Sequence, residues 1–200
     1  RLADCHDHYV AVLQKIGVPL PETTFHLLDL ERELVPVIVQ EALPESSMMR
    51  DQMLRADSAQ AIILLEAAAN VIADFWNKLA NDGLRVGFHP SIRNFAIVNG
   101  QAIFFDTFPP LIHYNRAEMG RMLLQFSEKR LMRILGPLVR GTVTSIQDEW
   151  YSPPETFVGL VGSACRLRPE DRALFLDWGN AFVTRRMQRW ADEAQAGLKA

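Results

Sequence analysis

The spacing of apolar residues divides the chain into segments of different period. In residues 3–16, ADCHDHYVAVLQKI, the residues Tyr9, Val10, Leu13 and Ile16 recur at helical spacing. This predicts a helix, which Gly17 with Pro19 and Pro21 ends. Two short runs follow, TTFHLLDL (23–30) and LVPVIVQEAL (34–43), rich in β-branched and apolar residues and split by the charged ERE. They predict two antiparallel strands. Pro36 has no N–H for a ladder, so it belongs at a strand start or an edge. Pro44 and the Ser46-Ser47 pair open a short helix over 46–55, and Asp57 or Ser58 caps a long one over 58–82. That long helix is apolar nearly all round. Its polar stripe is limited to Gln60, Glu66, Asn70, Asp74 and Asn77, so the reading buries it on most of its circumference, as the spine of the domain.

Gly83 stops the spine and leads into residues 87–110, GFHPSIRNFAIVNGQAIFFDTFPP. Here NFAIV and AIFFD predict two strands joined at Asn99-Gly100, a pair that tolerates the positive φ of a tight hairpin turn. Asn115 with Glu118 predicts a capped helix over 115–135, closed by Gly136-Pro137, and residues 138–151 show no regular pattern. Ser152-Pro153-Pro154-Glu155 is a capping box introducing a helix to about Arg166, and Pro169 starts a final helix through Ala196. The order predicts an α+β fold with a small front and a larger helical rear. The boundary falls after residue 43: 1–43 carries a helix and two strands, and 44–200 the helices with the hairpin 94–106.

Composition narrows the partners. The chain has 200 residues, 48% of them hydrophobic, enough for a sizeable core. Cys5 and Cys165 form no metal or disulfide spacing, which argues for a reducing, cytoplasmic setting, with Cys165 read as buried. A net charge of −3 argues against a binder of nucleic acid by phosphate attraction. Trp76, Trp150, Trp178 and Trp190 are too scattered for a stacking platform. Arg185, Arg186 and Arg189 read as a solvated helix face. No run approaches the roughly 20 apolar residues that span a bilayer, so no membrane partner is expected, and nothing fixes an oligomeric state. His6, Asp7 and His8 are neighbours on one helix and point in different directions, so they read as a solvated face rather than a metal site. Phe104, Phe105 and Phe108 read as core.

A buried helix, a loop, an asparagine, a hairpin and then an aspartate form an order that resembles the catalytic segment of the protein-kinase-like fold, in particular the small-molecule branch of aminoglycoside phosphotransferases and choline kinases. The resemblance covers about residues 3–110. It implies that Asn94 matches the loop asparagine and Asp106 the metal-binding aspartate. A hairpin brings its two ends together, so both could face one cation, and Mg²⁺ suits one amide oxygen plus one carboxylate. In the same comparison, residues 3–16 look like the helix beside the small-lobe sheet. The strands look like the last two of that sheet, and Gln40, Glu41 and Leu43 lie in the segment whose backbone groups bind adenine. Read from its own chemistry, Arg93 beside Asn94 could bind a phosphate or carboxylate bidentately, or else make a surface ion pair. The implied ligands are ATP and Mg²⁺, and the implied reaction is phosphoryl transfer to a small hydroxylated substrate.

The chain also departs from that family. Five residues before the asparagine, where the family has its catalytic aspartate, stands His89, which becomes the candidate base. No Gly-rich loop or phosphate-gripping lysine precedes residue 23. Glu22, Glu31 and Glu33 do not lie mid-helix where the lysine's partner belongs, and Asp4 and Asp7 lie on the right helix but are shorter. Either the missing strands precede Arg1 in the natural protein, or the domain is a reduced kinase-like one. The alternative is a catalytically inactive pseudokinase that binds a small molecule or a partner protein.

Overall fold

The structure is a computed structural model that describes residues 2–30, 33–80, 82–113, 118 and 148–199. The predicted helix over 115–135, Glu118 excepted, and the irregular stretch from 138 to 147 lie outside these residues. The rest is α+β and mainly helical. Helix α1 spans Leu2–Ile16, and strands β1 (Thr23–Leu30) and β2 (Glu33–Gln40) form an antiparallel ribbon. Because the ribbon has only two strands, Pro36, opposite Leu27, sits on an edge and breaks no inner ladder. A short turn of 3₁₀ helix at Glu45–Ser47 leads into α2 (Met49–Arg55) and then α3 (Ser58–Leu79). The Asp57 side chain accepts the Gln60 N–H at 2.8 Å and so caps α3.

Helix α3 is the spine that its pattern predicts. It packs on α1, α2, the hairpin and two later helices, α4 (Pro153–Leu167) and α5 (Arg172–Arg186). By length and composition it is also apolar enough to cross a membrane, which corrects the expectation that no segment reaches that size. In this fold its apolar face is taken up by the core: Leu65, Ala68, Ala69, Ile72 and Ala73 are fully buried. Its polar stripe meets α5 instead, where Arg185 pairs with Glu66 at 3.0 Å and Arg186 with Asp74 at 2.9 Å, on a solvated face. One core joins α1 to the spine, the hairpin and the rear helices, so buried packing continues across residue 43.

Four further expectations are corrected. The final helix is two, α5 and α6 (Ala191–Lys199), because the chain leaves helical geometry at Met187 (φ −129°, ψ 41°). Met187 is fully buried there, and the break turns α6 back onto α4 and α5 so that Ala194 and Leu198 enter the core. One continuous helix would carry both away from it. Cys165 is only partly buried, since Val161 and Ala164 occupy the buried face of α4. His6 is no solvated residue: it is 1% exposed, under the ribbon beside Phe25. Phe104 is core as expected, whereas Phe105 and Phe108 are half-buried, Phe108 stacking on Phe25.

Candidate functional site

Strands β3 (Phe95–Val98) and β4 (Gln101–Phe104) pair from Val98↔Gln101 to Phe95↔Phe104. Asn99 (φ 52°) and Gly100 (φ 79°) both occupy the left-handed region, as a tight two-residue hairpin turn requires. A train of rings anchors the hairpin to the spine: Phe75 on Phe88, Phe88 on Phe104 (both 4.7 Å between centroids) and Phe95 on Phe104 (5.5 Å). Beyond β3 and β4 the ladder gains one more bond, from Phe105 N–H to the Asn94 carbonyl at 3.1 Å. Asn94 and Asp106 therefore leave the ribbon at the same end.

Their side chains meet. Asn94, 8% exposed, donates from Nδ2 to Asp106 Oδ2 at 2.8 Å and to the His89 carbonyl at 2.9 Å. Both amide hydrogens are thereby engaged, so the amide's remaining polar atom is the acceptor Oδ1. His89 Nδ1 lies 3.6 Å from Asp106 Oδ2, at ion-pair range. Trp150 lies against the His89 ring, centroid to centroid 4.5 Å. Trp150 is brought there by its backbone, whose carbonyl accepts the Phe88 N–H at 2.7 Å.

The loop that presents His89 is held from below. Gly87 donates its N–H to the Leu111 carbonyl at 2.8 Å, and its own carbonyl accepts from the Tyr9 hydroxyl at 3.0 Å. Burial, with Tyr151 and Asp106 nearby, pushes the Tyr9 phenol well above its ordinary range, so it remains a donor. Burial likewise takes Tyr151 to about 12, against the pull of the Arg85 guanidinium, which lies 4.9 Å from its ring centroid. Glu149 belongs to the same neighbourhood. Partial burial, and Glu155 beside it, raise its carboxyl pKa, and His89 opposes the rise. Residues 148–151 carry no pattern that marks them for this site, and their approach depends on contacts made across the fold.

Of the other predicted residues, Gln40 reaches the hairpin mouth. Its Nε2 donates to the Phe105 carbonyl at 2.9 Å and to Thr23 Oγ1 at 3.1 Å, tying the end of β2 to the residue before Asp106. Glu41 is exposed and bonds Glu22 through its backbone N–H, 2.9 Å. By the alternation of an antiparallel ladder, the neighbouring Gln40 turns its backbone groups to the edge of β2 away from β1. Leu43 is half-buried and Arg93 exposed, and neither belongs to the bonded set of Gln40, His89, Asn94 and Asp106. Just beyond Asp106, buried Thr107 Oγ1 meets His6 Nε2 at 2.9 Å, a link from α1 to the hairpin exit.

Chemically, the mouth offers a carboxylate, an amide oxygen and an imidazole. Among the described residues no group of three His, Cys, Asp or Glu could hold a metal ion. Asn94 and Asp106 are hard oxygen donors of the kind that fit a cation keeping most of its waters, which is the habit of Mg²⁺. Over residues 1–200 the chain matches, and belongs to, a family of unknown function (DUF6206). No curated protein and no solved structure matches it.

Proposed function

We propose that this family member is a kinase-like domain that binds a nucleotide or other phosphate ligand through a divalent cation, with phosphoryl transfer to a small hydroxylated molecule as its reaction. The observation that carries the reading is the convergence of Asn94 and Asp106, 2.8 Å apart at the hairpin mouth. The Gln40 link supports it, because it sets the open edge of β2 beside that mouth. The order of elements, from α1 through the ribbon, α2 and α3 to the hairpin, is the order this reading expects of a small lobe 1–43 followed by a helical lobe 44–200.

In this reading Asn94 and Asp106 hold the cation, and backbone groups of the 40–43 segment hold the base. Bound Mg²⁺ would neutralise phosphate charge. His89, half-exposed with Nδ1 toward Asp106, would accept the proton of the substrate hydroxyl.

A second reading is the inactive relative that binds a small molecule or a partner protein in the same place. It is favoured by how the polar groups satisfy one another: both Asn94 amide hydrogens and the Gln40 amide are already engaged inside the fold. Thermal-shift titration with ATP and Mg²⁺, on the wild type and on Asp106→Ala, separates the two. The nucleotide reading expects stabilisation that needs both ligands, a Tm rise of about 5–10 °C near 100 Kd, absent in the variant. No Mg²⁺-dependent rise, or an equal rise in Asp106→Ala, removes that reading and leaves the binder.

A further inference from the structure

The imidazoles of His8 and His113 meet on the surface, away from the hairpin mouth. His113 Nε2 lies 2.7 Å from His8 Nδ1, with ring centroids 4.6 Å apart and planes at 46°. The approach is not local, since 105 residues separate them. Along α1 the neighbours diverge: His6 turns inward to Thr107 and His8 outward. His113 reaches His8 with φ 61°, a left-handed conformation that a residue with a side chain rarely adopts. Its position is set by the residue before it, because Ile112 bridges Val86 and its carbonyl accepts from Cys5 Sγ at 3.3 Å.

A hydrogen bond between two exposed imidazoles adds little over the bonds each makes to water. The same two ring nitrogens, one from each imidazole and 2.7 Å apart, are close enough to chelate one ion. Nitrogen ligands about 2.0–2.1 Å from a metal stand roughly 2.9 Å apart when they subtend a right angle, and roughly 3.4 Å apart at the tetrahedral angle. The observed 2.7 Å is close to the first and well short of the second. Square-planar and tetragonal coordination by nitrogen and oxygen is the preference of Cu(II) and Ni(II).

We propose that His8 and His113 form a binding site for a late first-row dication, Cu(II) or Ni(II), with water completing its shell. No third His, Cys, Asp or Glu completes a metal-holding group among the described residues, so the site is open and weaker than a structural metal centre. Occupied, it ties α1 to the segment that leaves Asp106 and stabilises the folded chain by mass action.

The full chain is titrated with Cu²⁺ and followed by electron paramagnetic resonance, and with Ni²⁺ and followed by thermal shift. The expected result is one tetragonal Cu(II) equivalent with two nitrogen ligands, and a Tm rise of about 5–10 °C at 100 Kd of Ni²⁺. His8→Ala and His113→Ala each weaken binding at least about tenfold. Both side chains are exposed, so the metal-free Tm of these variants stays near wild type. His26→Ala leaves the signal intact. Unchanged binding in either His8→Ala or His113→Ala, loss of the signal in His26→Ala, or a wild type without nitrogen-bound Cu(II) overturns the assignment.

Discussion

Asn94 and Asp106 are twelve residues apart in the chain and joined, Nδ2 to Oδ2, at 2.8 Å. The hairpin between them brings their backbones to one end of the ribbon but does not fix the choice of groups. An amide beside a carboxylate is a neutral donor satisfying an anion, with one further oxygen acceptor, Oδ1, left on the amide.

Replacing the amide by a second carboxylate reverses that balance. Asn94→Asp removes the donors to His89 O and Asp106 Oδ2 and sets like charges in contact. The expected loss at neutral pH is about 1–3 kcal/mol, read as a Tm lower by roughly 3–10 °C. Millimolar Mg²⁺, or acidification that lets the two carboxylates share a proton, should recover part of it. A variant as stable as wild type and indifferent to Mg²⁺ would show that the two side chains do not converge in solution.

His6 should make the fold sensitive to mild acid. Burial lowers its pKa below the ordinary 6.5, against the opposing pull of Asp7, whose Oδ1 is 3.9 Å from Nδ1. The unfolded chain therefore takes up a proton at a higher pH than the folded one. The stability that neutral His6 contributes is complete above 6.5 and declines as pH falls from there through the lowered folded-state value. Chemical denaturation between pH 7.5 and about 5 should show this decline in wild type and a shallower one in His6→Gln. Parallel curves for the two proteins would contradict the assignment.

Two glycines, one beneath the His89 loop and one in the hairpin turn, should respond differently to alanine. A Cβ on Gly87 would stand 3.0 Å from Leu111 Cβ and from the Tyr151 ring, so Gly87→Ala forces packed neighbours to shift. The expected cost is about 1–3 kcal/mol, together with a disturbed His89 loop. Gly100 has nothing within 4 Å of such a Cβ but sits at φ 79°. Gly100→Ala should therefore cost about 1–2 kcal/mol through backbone conformation alone, and Gly100→Asn should cost less because asparagine tolerates that region. Urea midpoints rank the three variants, and only Gly87→Ala should also alter ligand-dependent stabilisation at the site.

Features that depend on residues a few positions apart were legible in the sequence. The Asn99-Gly100 turn, the Asp57 cap and the Ser152 cap appear where the pattern puts them, because turn and cap energies are decided within one turn of chain. The break at Met187 was not legible: nothing local forbids a helix there, and it exists because Leu198 and Ala194 gain burial when α6 turns back. The approach of Trp150 and Glu149 to His89, and of His113 to His8, depends likewise on partners tens of residues away.

By itself, then, the sequence determined the period of each element, the turns and caps that bound them, and the candidate trio of His89, Asn94 and Asp106. Only the tertiary structure decided that Asn94 and Asp106 share a hydrogen bond, that Gln40 closes on the hairpin mouth while Arg93 stays in solvent, and that His6 is buried and His8 is not. The division follows from range. Dihedral preference and side-chain period act over a few residues, whereas burial and the distance between side chains are settled by how all the elements pack around one core.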